Sequence, residues 1–288
     1  MPAATFESLY DRAASTLLDV ELTARTVETG DGQTHVLTAG SSDAPPVVVF
    51  QGGNVTTPIT LSWIQALAAD YFLVAPDTPG EPGTAATPPP HSYGRWAAAV
   101  LDGLDLDRPA VVGTSHGGGV ALELAAHDPD RIAAAALLVP AGFGVSFSLD
   151  LLRIVLPSLA YRVVPRRSLL DRALAPMFTQ PIDTVDDVIL ETVGTALRTG
   201  DVKTEFPGPD DPAALSEFAA PTLVIAAEED PFFPAETVCR RATDALPGLV
   251  ECISLRDERH FLSPAGQARV TERIRAFLDD YYDAGASR

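Results

Sequence analysis

The sequence contains very few cysteines and no long apolar run. Only Cys239 and Cys252 are present among 288 residues, too few for the disulfide framework of a small secreted domain. We therefore expect two reduced thiols in a cytoplasmic protein. No stretch reaches the roughly 18 consecutive apolar residues of a membrane span. Residues 1–19 lack the cationic and apolar regions of a secretory signal, so no leader is predicted.

Lysine is almost absent as well. The chain has 39 acidic and 20 basic residues, a net charge of −19, and Lys203 is its one lysine. Such a charge argues against nucleic acids and anionic membranes as partners. An acidic, lysine-poor composition is typical of proteins from a salt-rich cytoplasm, where self-repulsion is screened. GC-rich codon usage is the alternative, although it does not explain so large an excess of acids.

Motifs for metals and cofactors are missing too. No His, Cys and Asp residues recur at metal-ligand spacing, and Gly52-Gly53 lacks the following glycine and lysine of a phosphate-binding loop. We therefore expect neither a metal nor a cofactor. The length and the 46% of hydrophobic residues suit one large domain, alone or with an insertion. Nothing in the sequence indicates an oligomeric state.

Apolar strands alternate with amphipathic helices along most of the chain. A helix is predicted over residues 3–18 and a hairpin over 20–37. Further strands are expected at 47–50, 72–75, 110–112, 133–139, 222–226 and 250–255, and helices at 59–69, 92–104, 120–126, 235–245 and 264–281. This order predicts an α/β fold, a mostly parallel sheet with helices on both faces.

The alternation is interrupted over residues 143–214, where prolines such as Pro157 separate helical pieces. This segment is either an inserted helical cap or a long disordered excursion, and its apolar content favours ordered helices. The predicted organisation is therefore a first core part (1–142), the cap (143–214) and a second core part (215–288). Between Leu149 and Arg172 lie five arginines and two aspartates, a local charge of +3. Either they form a solvated face, or one or two hold an anionic group of a substrate.

A G-x-S-x-G motif occupies residues 113–117, between a predicted strand and a predicted helix. A serine on such a sharp turn is exposed at the top of a sheet, and the glycines let strand and helix come close together. The alternative interpretation is a tight turn with a bystander serine. The strand before the motif and the helix after it favour Ser115 as a nucleophile.

A nucleophilic serine needs a base and a group that orients the base. His260 follows the last predicted strand, where parallel sheets place their sites, whereas His127 ends the helix after Ser115. Asp230 follows the strand at 222–226 and is the preferred acid, because Pro231 fixes a turn after it. Glu228 and Glu229 are its rivals.

Acyl transfer also needs backbone N–H groups directed at the developing oxyanion. The residue after the nucleophile, His116, would provide one. The loop after the strand at 47–50 would provide the other, from Gly53 or, if the loop is shifted by one residue, from Asn54. An ordinary glycine turn is the alternative for this loop.

Together these segments resemble the α/β-hydrolase superfamily over nearly the whole chain. The resemblance rests on five stretches, residues 47–53, 75–83, 113–118, 228–234 and 259–262. It implies a structural turn at Asp77 and Gly80 and a cap at about 143–214. One departure is Gln51, which stands before Gly52 where the family usually has histidine, a residue outside the triad.

The resemblance implies a serine hydrolase acting on a small-molecule carboxylic ester. His260 would take the proton of Ser115, Asp230 would orient the imidazole, and an acyl-enzyme would be hydrolysed by water. The same scaffold could instead act on a C–C, amide or lactone bond or form peroxides, since one fold carries many chemistries. A non-catalytic ligand-binding protein is the remaining alternative. No aspartate replaces Ser115, which argues against a dehalogenase or an epoxide hydrolase.

Overall fold

The structure is a computed structural model that describes residues 5–30, 32–84, 89–145, 149–200, 206–209 and 211–282, with backbone alone for Leu149 and Asp150. Within these ranges eight strands form one sheet, ordered β1-β2-β4-β3-β5-β6-β7-β8. They are β1 (Leu22–Thr29), β2 (Gly32–Ala39), β3 (Pro46–Phe50), β4 (Phe72–Pro76), β5 (Ala110–Thr114), β6 (Ala135–Leu138), β7 (Thr222–Ala227) and β8 (Leu249–Leu255). β2 pairs antiparallel with β1 and β4, and β3 to β8 pair in parallel.

Helices cover both faces of this sheet. The described helices are α1 (Phe6–Leu17), α2 (Thr57–Ile64), α3 (Tyr93–Gly103), α4 (His116–His127), α5 (Leu149–Val163), α6 (Arg167–Leu174), α7 (Asp187–Thr199), α8 (Ala235–Ala245) and α9 (Pro264–Tyr281). Two apolar clusters form the core: Val47 and Val49 belong to one, Val48 and Phe50 to the other. Alternation along a strand places the clusters on opposite faces. The predicted α/β fold is confirmed. No described helix is long and apolar enough to cross a membrane.

The centre of the sheet carries the G-x-S-x-G motif. All five residues of β5 are buried, because helices on both faces require a continuous apolar strand. The helix that follows begins at His116, earlier than the predicted start at residue 120. Glycines have low helix propensity, but Gly117, Gly118 and Gly119 pack directly against neighbouring backbone. Tertiary packing therefore overrides propensity in this turn.

The segment between β6 and β7 is helical where it is described, with α5, α6, α7 and short 3-10 helices at Ala175–Met177, Ile182–Thr184 and Pro212–Leu215. Pro157 lies inside α5 and does not end it. A proline removes one hydrogen bond of a helix, but Ile154 and Tyr161 on either side are buried, so packing keeps the helix continuous. Residues 146–148, 201–205 and 210 lie outside the described residues. The cap boundaries, 143 and 214, stay a prediction.

The expectation of two reduced thiols is wrong in this structure. Cys239 on α8 and Cys252 on β8 form a disulfide, with their Cα atoms 5.6 Å apart. This separation lies within the range that a disulfide can bridge. It arises because the chain reverses after α8, so that β8 runs directly beneath the helix. The cysteines therefore no longer support a reducing compartment, since disulfides persist mainly in oxidising ones.

Candidate active site

Ser115 sits on a sharp turn between β5 and α4, with φ 51° and ψ −114°. This backbone conformation is strained for a residue other than glycine. The flanking glycines make it possible: a Cβ on Gly113 would lie 2.5 Å from the carbonyl oxygen of Gly117, and a Cβ on Gly117 would collide with that of Phe50. The turn places the hydroxyl at the carboxyl ends of the parallel strands, beside the N-terminus of α4.

The structure brings Ser115, His260 and Asp230 into one hydrogen-bonded chain. The Ser115 Oγ lies 2.9 Å from Nε2 of His260, and Nδ1 of His260 lies 2.7 Å from Oδ2 of Asp230. Because the Asp230 carboxylate accepts a hydrogen bond from Nδ1, the ring proton lies on Nδ1. Nε2 is then free to accept the proton of the serine. This arrangement can activate a hydroxyl as a nucleophile.

The carboxylate of Asp230 is fully buried and its second oxygen is also occupied. Oδ1 accepts N–H bonds from Phe232 at 2.8 Å and Phe233 at 3.0 Å, in the turn after β7. The rival acids lie elsewhere: Glu228 is exposed, and Glu229 pairs at the surface with Arg259 at 3.1 Å. Geometry therefore favours Asp230 as the group that orients the imidazole.

Residues from the inserted segment hold the loop that carries His260. The Phe261 N–H donates to the Met177 carbonyl at 2.8 Å, and the Thr179 N–H donates to the Phe261 carbonyl at 3.0 Å. The rings of Phe178 and Phe261 stack with centroids 4.2 Å apart. The loop after β8 is thus fixed on one side by the sheet and on the other by the segment after α6.

The glycine loop after β3 leaves one backbone amide accessible in the cavity that contains Ser115. The Gly52 N–H donates to Thr60 Oγ1 at 3.0 Å, and the Asn54 N–H donates to Glu81 Oε2 at 2.7 Å. Within the described part of the chain, the Gly53 N–H has no hydrogen-bond partner, and Gly53 lines the cavity beside Ser115. Of the two amides considered from the sequence, that of Gly53 is therefore accessible and that of Asn54 is engaged.

Gln51 shows how the chain accommodates the departure from the usual histidine. Its side chain is completely buried. The amide nitrogen donates to the carbonyls of Val55 at 2.9 Å and Pro82 at 3.0 Å, and the amide oxygen accepts the Thr78 N–H at 2.8 Å. The glutamine thus ties the glycine loop to the loop after β4, with two donors and an acceptor in use.

A buried acid and base lie beside the glycine loop, and their pairing was not predicted from the sequence. Glu81 Oε1 lies 3.1 Å from Nε2 of His116, with both side chains at most 5% exposed. The edge of the Tyr93 ring contacts the imidazole at a centroid distance of 5.2 Å. Burial and the nearby carboxylates of Glu81 and Glu123 raise the pKa of Tyr93 above its ordinary value. One sequence signal is its position: Glu81 lies in a Pro- and Gly-rich loop at the carboxyl end of β4.

A mostly apolar cavity of about 220 Å³ opens onto Ser115 and His260. Its other walls come from the glycine loop, from helices between β6 and β7 and from the loops after β7 and β8. They include Ile154, Leu159, Arg162, Leu174, Val193, Leu197 and Phe232. Arg162 is the one arginine of the five between Leu149 and Arg172 found among the described lining residues. A larger surface cleft of about 800 Å³ shares Phe206 and Phe233 with it but includes no member of the hydrogen-bonded chain. Among the described side chains, no group of three or more His, Cys, Asp or Glu could hold a metal ion.

The parallel sheet and the serine elbow at its carboxyl edge form the α/β-hydrolase fold. A family model described as the alpha/beta hydrolase fold matches residues 45–155. The chain is 24% identical over 281 residues to carboxylesterase YbfK of Bacillus subtilis (strain 168), covering 95% of this chain and 93% of the relative. It is 29% identical over 215 residues to 2-hydroxymuconate semialdehyde hydrolase of Pseudomonas sp. (strain CF600), covering 67% and 72%.

The fold is also similar to solved structures. The naproxen esterase (carboxylesterase NP) of Bacillus subtilis superposes with a TM-score of 0.79 at 22% identity, covering 95% of this chain and 96% of that one. At this identity the similarity establishes the shared fold, and the chemistry has to be argued from the site.

Proposed function

We propose that the protein is a serine hydrolase that cleaves a small carboxylic ester through an acyl-enzyme. Two consecutive hydrogen bonds carry this proposal: Ser115 Oγ lies 2.9 Å from Nε2 of His260, and Nδ1 of His260 lies 2.7 Å from Oδ2 of Asp230. The similarity to relatives named carboxylesterases supports the choice of an ester.

In the proposed mechanism His260 takes the proton of Ser115 as the hydroxyl attacks the ester carbonyl. Asp230 orients the imidazole and stabilises the imidazolium. The amides of Gly53 and His116 bind the oxyanion, and the N-terminus of α4 adds its partial positive charge. The imidazolium then protonates the leaving alcohol, and a water activated by His260 releases the acid.

The cavity supports an apolar substrate. Aliphatic and aromatic side chains form most of its walls, and its volume is below the range usual for sites that enclose drug-sized ligands. We therefore propose esters with short or medium acyl chains. The inserted helices over 143–214 act as the cap that closes this cavity, since α5 and α7 provide part of its lining.

A series of p-nitrophenyl esters of increasing acyl length tests the proposal, with and without a serine-reactive phosphonate. We expect turnover that is highest at short or medium chain length, and complete loss after labelling of Ser115. Turnover that survives stoichiometric labelling of Ser115, or that remains in Ser115→Ala, contradicts the proposed mechanism.

Cleavage of a C–C bond is the second candidate, because a relative named 2-hydroxymuconate semialdehyde hydrolase aligns over 67% of this chain. The same hydrogen-bonded chain could serve either reaction. Assaying 2-hydroxymuconate semialdehyde beside the ester series separates the two. A kcat/KM for the semialdehyde above that for every ester would replace ester cleavage with C–C cleavage.

A further inference from the structure

The carboxylate of Glu81 contacts both sides of the proposed oxyanion site. Oε2 accepts the Asn54 N–H at 2.7 Å, and Oε1 lies 3.1 Å from Nε2 of His116. Asn54 belongs to the loop after β3, whereas His116 follows the nucleophile at the start of α4. One side chain therefore joins the two segments that would each supply an oxyanion amide.

Gly53 packs into the space that this bridge encloses. A Cβ at Gly53 would lie 3.3 Å from the Cβ of His116 and 3.7 Å from Oε2 of Glu81. The glycine loop, the imidazole and the carboxylate are thus in mutual contact. A shift of the carboxylate would move the Gly53 amide relative to the amide of His116.

We infer that Glu81 is a positioning residue of the oxyanion site, which fixes the spacing of the two oxyanion amides and directs the Gly53 N–H toward the substrate. By accepting the N–H of Asn54 it removes the competing donor from the loop. Asn54 has φ 60°, a left-handed conformation that asparagine adopts more readily than most residues, and the bond to Glu81 fits this turn. The assignment rests on the proposed ester hydrolysis.

A carboxylate suits the bridge because both of its oxygens accept hydrogen bonds. The Glu81 side chain is fully buried, and a buried charge is costly unless it is paired and hydrogen-bonded. An N–H donor and an imidazole meet that requirement. A glutamine keeps the shape and can still accept the Asn54 N–H, but its NH₂ group satisfies His116 only if the imidazole takes the tautomer that accepts at Nε2.

The test compares Glu81→Gln with a control variant, Glu123→Gln. Glu123 is a half-buried carboxylate that also accepts backbone N–H bonds, from Tyr93 at 3.0 Å and Gly208 at 3.2 Å, but it does not contact the glycine loop. Rates are expressed per active site after phosphonate titration, so that misfolded protein does not lower the measured kcat. The Ki of a trifluoromethyl ketone, whose adduct with Ser115 carries an oxyanion, is measured beside kcat and KM.

For Glu81→Gln we expect kcat to fall roughly 10- to 100-fold with KM nearly unchanged, since a small misplacement of catalytic groups can cost 10²-fold. The Ki of the ketone should rise by the same factor as kcat/KM falls, while Glu123→Gln stays near wild type. In the double variant Glu81→Gln/His116→Gln the losses should not add, because the two side chains form one bridge.

Two results would overturn this assignment. One is a Glu81→Gln variant with a lower melting temperature but wild-type kcat and Ki per active site, which would make Glu81 a structural residue alone. The other is a faster variant, which would mean that the carboxylate opposes the oxyanion. If wild type itself turns over no ester and resists phosphonate labelling, the proposed function fails and this inference fails with it.

Discussion

The imidazole of His260 lies 2.9 Å from the hydroxyl of Ser115, although 145 residues separate them in the chain. Two strand ends create this contact: Ser115 follows β5 and His260 follows β8, on the same edge of a parallel sheet. Asp230 follows β7 between them in the chain. The contact therefore depends on the order of the strands and on few local features.

Removing either end of this contact should abolish ester turnover. We expect Ser115→Ala and His260→Ala each to lower kcat by roughly 10⁴-fold or more, and the double variant to be little worse, since such residues act as a unit. Asp230→Asn should cost somewhat less. Steady-state kinetics on p-nitrophenyl esters measures these effects. Ser115→Ala with a tenth of the wild-type rate would refute the triad, and a larger loss in Glu229→Gln than in Asp230→Asn would make Glu229 the acid.

Replacing Gln51 with histidine should destabilise this fold even though related proteins usually have histidine there. A neutral imidazole offers one donor and one acceptor, so one carbonyl of Val55 or Pro82 would lose its partner. We expect the free energy of unfolding to fall by about 1–3 kcal/mol, measured by urea denaturation. Gln33→His, at an exposed position, serves as the control and should change it by less than about 0.5 kcal/mol. Equal free energies of unfolding for the two variants would contradict a stabilising role for the hydrogen bonds of the buried Gln51 side chain.

Arg162 is the arginine best placed to select a charged substrate. It lines the cavity, and its Nη1 donates to the Gly200 carbonyl at 2.8 Å, so the guanidinium has further N–H groups. We expect Arg162→Gln to lower kcat/KM roughly tenfold for esters that carry a carboxylate and to leave neutral esters unchanged. Arg166→Gln, which alters an exposed arginine outside the cavity lining, is the control. Equal effects on both classes of ester would leave a surface-charge role for Arg162.

The bond between Cys239 and Cys252 predicts the thiol content of the protein. Unfolded, unreduced protein should contain no free thiol, and dithiothreitol should release two, as measured with a thiol reagent in denaturant. Reduction should lower the free energy of unfolding by about 2–4 kcal/mol. The Cys239→Ser/Cys252→Ser variant should not respond to dithiothreitol. Two free thiols before reduction would restore the expectation drawn from the sequence.

The excess of acids predicts a dependence on salt. At about 0.01 M salt the Debye length is roughly 30 Å, so the charge of −19 acts across the whole molecule, whereas near 1 M it is about 3 Å. We expect stability and activity to be lost in dilute buffer and recovered in molar KCl. A melting series in KCl from about 0.05 to 3 M, beside a near-neutral hydrolase of similar size, tests this. A melting temperature that moves no more than the control's would leave codon usage as the explanation.

Strand order and turn chemistry explain how much of the site the sequence could predict. Parallel strands bring their carboxyl ends to one edge, so Ser115, Asp230 and His260 could be grouped from their positions after predicted strands, together with the G-x-S-x-G motif and the turn at Pro231. The contacts of Glu81 with Asn54 and His116 could not be predicted in this way, because they depend on how closely the loops after β3 and β4 approach each other in space. The disulfide could not be predicted for a similar reason, because the spacing of the two cysteines does not show that α8 lies over β8.

The distance along the chain between nucleophile and base also has a consequence for synthesis. Ser115 and the glycine loop leave the ribosome well before His260, and β7 and β8 must join the sheet before the imidazole reaches the hydroxyl. A serine hydroxyl without its base is a weak nucleophile. If the proposed mechanism holds, a nascent chain contains Ser115 long before it contains the base, and its serine should become reactive only after the final strands join the sheet.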